Sequence, residues 1–172
     1  MPGYSKGEFV IQEEGAQLIA LSVMARPGER ILDACAGRGQ KTTLLAEQVA
    51  PNGSVCATDL HPKKLQALEQ ELLRLGLSGV TTAAVDWSRG AGGLTERFDA
   101  ALVDAPCTGL GALRRRPESR WRRPPADLAG LVDLQRRLLA GAIAAARPGG
   151  VVAYVTCSPH PEETFGVVEA AL

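Results

Sequence analysis

Four short apolar runs in this chain end on or beside an aspartate, and helical stretches separate most of them. That alternation restricts the fold more than any other feature of the sequence. Arg30-Ile31-Leu32-Asp33-Ala34 reads as a buried strand entering a Gly-rich turn, and a helix follows from about Lys41 to Val49, ended by Pro51-Asn52-Gly53. Ser54 to Asp59 is a second strand. His61-Pro62 then opens a helix with Leu65, Leu68, Leu72 and Leu75 at helical spacing and Gly76 as its stop. Val80 to Val85 is a third strand with Asp86 behind it, and Phe98 to Val103 a fourth, closed by Asp104. A long helix is predicted over Leu128 to Ala146, with Leu134, Leu138 and Ile143 on its inner face and Pro148-Gly149-Gly150 as its end. Val151 to Val155 makes a fifth strand, and a last helix runs from near Pro161-Glu162-Glu163 to Leu172. Strands that alternate with crossover helices imply an α/β fold with a mainly parallel sheet. Sheets of this kind bind ligands beyond the carboxyl ends of their strands, where these aspartates lie.

Composition narrows the setting. The longest uncharged apolar stretch, Leu138 to Ala146, falls far short of the roughly 20 residues of a membrane span, and no basic-then-apolar leader opens the chain. A cytoplasmic protein is the expectation. Cys35, Cys56, Cys107 and Cys157 form no C-x-x-C pair and have only His61 and His160 as imidazole company, so neither a zinc cage nor a disulfide framework is expected, and no metal. The net charge is zero, yet Arg114 to Arg123 holds six Arg and one Glu, a local +5, against 13 basic and 18 acidic residues elsewhere.

Three readings of Asp33-Ala34-Cys35-Ala36-Gly37-Arg38-Gly39-Gln40-Lys41-Thr42 compete. A phosphate-binding P-loop fails, because Cys35 and Gln40 stand where its two glycines belong. A dinucleotide fingerprint matches Gly37 and Gly39 but meets Thr42 at its third glycine, and a purely structural turn needs no ligand at all. The acids at neighbouring strand ends favour a ligand. Asp59, 20 residues after Gly39, can accept both hydroxyls of a ribose, and Asp86 can accept the exocyclic amine of an adenine. Each aspartate alone serves equally well as a helix cap or turn former. Together, with no basic partner for a pyrophosphate, they suit a nucleoside that carries a cationic group, and S-adenosylmethionine is such a molecule.

The fourth strand leads into Asp104-Ala105-Pro106-Cys107-Thr108-Gly109 and the fifth into Thr156-Cys157-Ser158, so two thiols and a carboxylate reach the same lip of the sheet. Here the chain resembles the RNA 5-methylcytosine methyltransferases of the NOL1/NOP2/Sun family, most closely the bacterial enzymes that act on small-subunit ribosomal RNA. The likeness covers nearly the whole chain. Gly7 to Glu13 resembles the family's G-x-F-x-x-Q-[DE] lead-in, Asp33 to Thr42 its D-x-C-A-x-x-G-x-K-T loop, and the paired D-A-P-C-[ST]-G and T-C-S signatures are its most specific marks. Arg115-Arg116-Pro117-Glu118 with Trp121, and Pro161-Glu162-Glu163, match as well. One departure is Gly37-Arg38-Gly39-Gln40, where the family usually has A-P-G-G. An amino-directed methyltransferase is disfavoured, since [DNS]-P-P-[YFW] is absent after the fourth strand.

The resemblance implies a class I S-adenosylmethionine-dependent methyltransferase of Rossmann-like fold, acting as a monomer on RNA. It makes Cys157 the nucleophile that attacks carbon 6 of cytosine, Cys107 the residue that helps resolve the adduct, and Asp104 a hydrogen-bonding partner of the base that also borders the cofactor. Carbon 5 of cytosine is a poor nucleophile until such an addition breaks the ring's aromaticity. Cys35, Ala36, Gly37, Arg38, Gly39, Gln40, Lys41, Asp59, Asp86 and Asp104 become the cofactor-binding set. Arg114, Arg115, Arg116, Arg120 and Trp121 become the RNA-binding set, with a plain solvated loop as the alternative. Cys56 is expected in the core, His61 at a helix start and His160 in a surface loop. The resembled fold has seven strands and five are accounted for, so the chain divides into a lead-in over 1–29 and a methyltransferase core over 30–172 that lacks the C-terminal strands. A non-catalytic cofactor- and RNA-binding module is the competing reading.

Overall fold

The computed structural model describes residues 1–90, 93–95, 97–122 and 126–172. Among these, five strands build one parallel sheet: β1 (Arg30–Asp33), β2 (Ser54–Asp59), β3 (Val80–Ala84), β4 (Phe98–Asp104) and β5 (Ala146–Val155), in spatial order β3-β2-β1-β4-β5. The helices are α1 (Pro2–Ser5), α2 (Glu14–Ser22), α3 (Gln40–Val49), α4 (Pro62–Leu75), α5 (Ser119–Arg122), α6 (Asp127–Ala145) and α7 (Phe165–Glu169). Arg123, within the Arg-rich segment, lies outside the described residues. No helix among them is long and apolar enough to cross a membrane.

Successive residues of a strand face opposite sides, so a sheet covered on both faces must be apolar at every position. On β1, Ile31 packs with Ala20, Val23, Leu45 and Val49 from the α2 and α3 side, while Leu32 joins Trp87, Leu138 and Ala142 from the α6 side. β4 repeats the alternation, sending Ala100 and Leu102 to the first layer and Ala101 and Val103 to the second. α4 lays Leu65, Leu68 and Leu72 on Ala57 of β2. Each fully buried Leu or Ile side chain contributes about 1.5–3 kcal/mol.

The sheet matches the expected α/β architecture, with three local corrections. The lead-in before β1 holds α2, whose Ala20 is buried with Val23 just beyond its end. Ile143 is 44% exposed rather than on the inner face of α6. The buried stripe of that helix is Leu131, Gln135, Leu138, Ala142 and Ala145, and Ile143 follows Ala142 by one residue, about 100° round the axis. Pro148-Gly149-Gly150 does not simply end α6: β5 starts at Ala146, and Arg147 to Gly150 bulge out of the ladder between the pairs Phe98 with Ala146 and Ala100 with Val151. The helix expected from Pro161 to Leu172 is instead a 3₁₀ turn, Pro161–Glu163, and the short α7, broken at Thr164 with φ −116° and ψ −95°.

All five strands point the same way, so their carboxyl ends share one edge. Strand order reverses between β1 and β4, and the loops leaving these two neighbours diverge to opposite faces of the sheet. The crevice between them is the place where such a fold holds a ligand.

Candidate active site

The first wall of the crevice is the loop from Asp33 to Gly39. Its backbone is pinned to the sheet, with Ala34 N–H donating to Leu102 O at 2.9 Å and Ala36 N–H to Thr58 O at 2.8 Å. Gly39 caps α3 at φ +84°, and a Cβ there would stand 2.0 Å from Leu68 Cδ1, so both backbone and space demand glycine. Asp33 is buried beneath the loop and accepts from Thr42 Oγ1 at 2.8 Å. Burial pushes its carboxyl up to about 6, against the pull of the Thr42 hydroxyl and the Lys41 charge. Cys35 is pushed up to about 12 by burial and by the carboxylates of Asp33, Asp59 and Asp104, so it stands as a neutral thiol.

Asp59 is held by its neighbours, accepting from Gly37 N–H at 3.1 Å and His61 N–H at 2.8 Å, with Lys64 Nζ 3.3 Å away. Asp86 caps the turn Trp87–Arg89 through the Ser88 amide, and the Ser88 hydroxyl chiefly holds its pKa below the usual carboxylate value. These residues border a cavity of about 970 Å³, at the upper end of the range for small-molecule sites. Of the cofactor set, Cys35, Gly37, Gln40, Lys41, Asp59, Asp86 and Asp104 line it. Ala36, Arg38 and Gly39 do not: Ala36 packs on the α4 leucines, Gly39 is buried and Arg38 points to solvent. Apolar Ala34, Val85, Trp87, Leu134 and Leu138 complete the walls, so the cavity combines greasy flanks with a carboxylate rim.

The second wall carries the thiols. Cys107 Sγ and Cys157 Sγ lie 3.3 Å apart, brought together because β4 and β5 are neighbours whose ends pair Asp104 with Val155. The hydrogen bond from Cys107 pulls Cys157 down to about 7, with Arg116 adding to the pull while burial and Asp104 oppose it. The same bond and burial drive Cys107 far up, so Cys157 is the thiol of the pair that ionises first. Gly109, at φ +74°, turns the chain beside Cys157, and Gly111 N–H donates to Cys157 O at 2.9 Å. Lys41 Nζ joins the two walls, 2.5 Å from Asp104 Oδ2.

Arg115 and Arg116 line the cavity mouth, and Arg115 pairs with Glu13 at 3.0 Å. Arg114, Arg120 and Trp121 lie beyond the lining, Trp121 being 82% exposed. His61 both caps α4 and lines the cavity, His160 does not reach the cavity, and Cys56 is half-buried against the core. Among the described residues, no cluster of His, Cys, Asp or Glu could hold a metal ion. Sequence reasoning passed over Gln12, whose side chain donates to Gln40 O at 3.0 Å, and gave no role to the buried residues Gln135 and Glu163. Gln12 and Glu13 sit in a recognised motif, a signal that could have found them. Gln135 has none, lying mid-helix among leucines.

The profile of the family described as 16S rRNA methyltransferase RsmB/F matches residues 20–172. The chain belongs to this family. A Mycobacterium tuberculosis protein described as a methyltransferase is 48% identical over 178 residues, covering 96% of this chain and 36% of the relative. Ribosomal RNA small subunit methyltransferase B of Pasteurella multocida is 35% identical over 177 residues, covering 100% of this chain and 40% of the relative. The crystal structure of NSun6 from Pyrococcus horikoshii with SFG, an S-adenosylmethionine analogue, superposes with a TM-score of 0.89 at 29% identity, over 99% of this chain and 43% of that one. The chain thus spans about two fifths of the length of the curated relatives it matches. RsmB/F proteins are S-adenosylmethionine-dependent methyltransferases, and the Sun-family structural likeness agrees with the paired cysteine signatures. The sheet and its helices are those of the methyltransferase fold.

Proposed function

We propose that this RsmB/F chain transfers a methyl group from S-adenosylmethionine to carbon 5 of a cytosine in RNA, most specifically ribosomal RNA, through a covalent adduct on Cys157. The observation that carries the reading is the Cys107–Cys157 pair, 3.3 Å apart on the lip of a nucleoside-sized cavity with a carboxylate rim. The cavity suits the cofactor: Asp59 and Asp86 offer acceptors to ribose and adenine, Trp87, Leu134 and Leu138 offer apolar cover, and the surrounding carboxylates favour a sulfonium. When bound there, S-adenosylmethionine supplies an electrophilic methyl group.

The chain's own residues do the rest. Cys157, a partial thiolate at neutral pH, adds to carbon 6 of the cytosine, and the C5–C6 electron pair shifts to carbon 5, where the methyl group is accepted. Asp104, steered by Lys41, accepts from the N4 amine and orients the ring. A solvent water at the open lip beside Cys157 takes the carbon 5 proton, its electron pair returns to the C5–C6 bond, and the C6–S bond breaks to expel the Cys157 thiolate. Cys107, already bonded to that sulfur, stabilises it as it leaves. Arg115 and Arg116 at the mouth, with Arg114 and Arg120 further out, engage phosphates, and the exposed Trp121 offers a stacking face to a base taken out of its helix.

The test is mechanism-based trapping. The chain is incubated with cofactor and a small-subunit ribosomal RNA fragment carrying 5-fluorocytosine, with a transfer RNA in parallel. Fluorine cannot leave as the proton does, so the wild type is expected to form a denaturant-stable adduct with the ribosomal fragment and Cys157→Ala none. A wild type that methylates the unmodified RNA yet forms no adduct would refute the covalent route, and one that methylates neither RNA would refute the activity.

A further inference from the structure

Glu163 is fully buried, and its carboxylate is surrounded by donors from both cysteine loops. Oε1 accepts from Thr108 N–H at 2.9 Å and from Gln135 Nε2 at 2.8 Å, and Oε2 accepts from Thr108 Oγ1 at 2.5 Å. Thr108 directly follows Cys107. Its hydroxyl also lies 3.0 Å from the hydroxyl of Ser158, the residue that directly follows Cys157. Gln135 of α6 donates to Pro106 O at 2.9 Å, so the same amide that faces Glu163 holds the chain on the other side of Cys107. Glu163 is itself fixed, since Tyr154 of β5 donates its phenol to Glu163 O at 2.9 Å.

Burial alone would favour the neutral acid. The bonds from Ser158, Thr108 and Gln135 outweigh it and hold the Glu163 pKa below the usual carboxylate value, so a charged acceptor stands among donors and the bonds are charge-assisted. An anion without these partners would not stay buried. The network draws Thr108 and Ser158 to a common centre, and the sulfurs one residue back lie in contact.

We propose that Glu163 is the positioning residue of the thiol pair: by binding the loop that follows each cysteine, it sets the contact between Cys107 and Cys157. The inference deepens the proposed cytosine chemistry and rests on it for its purpose, but its geometry stands on the thiols alone. Glu163→Ala loses the common acceptor, and the loops are free to part. Glu163→Gln keeps an oxygen for the Thr108 amide and Gln135, while the Thr108 hydroxyl can turn to accept from the new amide, so it should restore the contact.

The test reads the thiol directly, as the pH midpoint of iodoacetamide alkylation followed by mass spectrometry of the Cys157 peptide. The wild type should titrate near 7. Glu163→Ala should move the midpoint above 8, towards an ordinary thiol, and lower kcat with KM for RNA changed less than about twofold, while Glu163→Gln should titrate near the wild type. Should Glu163→Ala fail to fold, Thr108→Val, which keeps the amide and removes the hydroxyl link to Ser158, should still raise the midpoint. A midpoint that stays near 7 in folded Glu163→Ala, or in Thr108→Val where the alanine variant does not fold, overturns the inference. The two readings separate cleanly: the alkylation midpoint decides the role of Glu163 with no RNA present, and turnover on RNA decides the proposed function.

Discussion

Lys41 Nζ lies 2.5 Å from Asp104 Oδ2, tying the first turn of α3 to the carboxyl end of β4 across the point where strand order reverses. One residue belongs to the wall proposed to hold the cofactor and the other to the wall that carries the thiols. On the proposed chemistry, replacing the lysine disturbs both halves of the reaction while disturbing the fold little. The side chains are 17% and 34% exposed, so solvent screens the pair and its worth to stability is about 1 kcal/mol or less. Lys41→Met is expected to lower Tm by no more than about 4 °C while turnover falls about 10²-fold through the misplaced carboxylate. Thermal melts and single-turnover methyl transfer measure the two effects.

The depressed Cys157 pKa sets a pH dependence. A thiol with its midpoint near 7 is mostly protonated at pH 6 and mostly thiolate at pH 8, so the adduct-forming rate should rise about tenfold between them and then level. The same shift contributes to folding stability above the ordinary thiol pKa, and this contribution is lost as pH falls through about 7. Because the Cys107 thiol is the largest cause of the shift, Cys107→Ala should raise the midpoint and allow the RNA adduct to accumulate. Gel analysis of unmodified RNA with cofactor across pH 6–9 tests both.

Asp33 shifts the opposite way. Its carboxyl is raised by burial from 3.8 to about 6, so its contribution to stability is full below pH 4 and is lost as pH rises through 6. The loss amounts to about 3 kcal/mol. Asp33→Asn keeps an oxygen for the Thr42 hydroxyl and carries no charge to bury. It should be at least as stable as the wild type at pH 8 and should flatten the stability profile between pH 4 and 6, as urea unfolding would show.

The Arg-rich lip predicts a salt effect. Changing Arg114, Arg115 and Arg116 together to Ala should weaken RNA binding and reduce the slope of log K against log salt by about 2, for three phosphates of a single strand. Filter binding from 50 to 300 mM salt reads it. An unchanged slope would remove these side chains from the RNA interface.

Much of this architecture is local and was legible before folding. Periodicity separates the short strands β1 to β4 from the helices, and the termination of α4 at Gly76 is written in turn chemistry. The D-A-P-C-T-G and T-C-S segments carry the family resemblance, and the order of strands and helices is enough to put both on one edge of a parallel sheet. Less local features were lost. Ile143 carries the same apolar signal as Leu138, yet the docking of α6 buries Leu138 and Ala142 and leaves Ile143, about 100° further round the axis, 44% exposed. The acidic Pro161-Glu162-Glu163 reads as a helix start, although Glu163 is the carboxylate at the centre of a buried network.

By itself, then, the sequence determined the layered α/β frame, the acids and thiols at its strand ends and the family likeness, because each depends on neighbours within a turn or a strand. Tertiary structure alone decided which of those groups meet. Cys107 with Cys157, Lys41 with Asp104, and Glu163 with Thr108 and Gln135 are pairs separated by 28 to 63 positions. Whether a buried charge is tolerated, or a thiol ionised, depends on the donors that distant loops bring to within about 3 Å. That distance is set by strand order and by packing, neither of which is a property of any one segment.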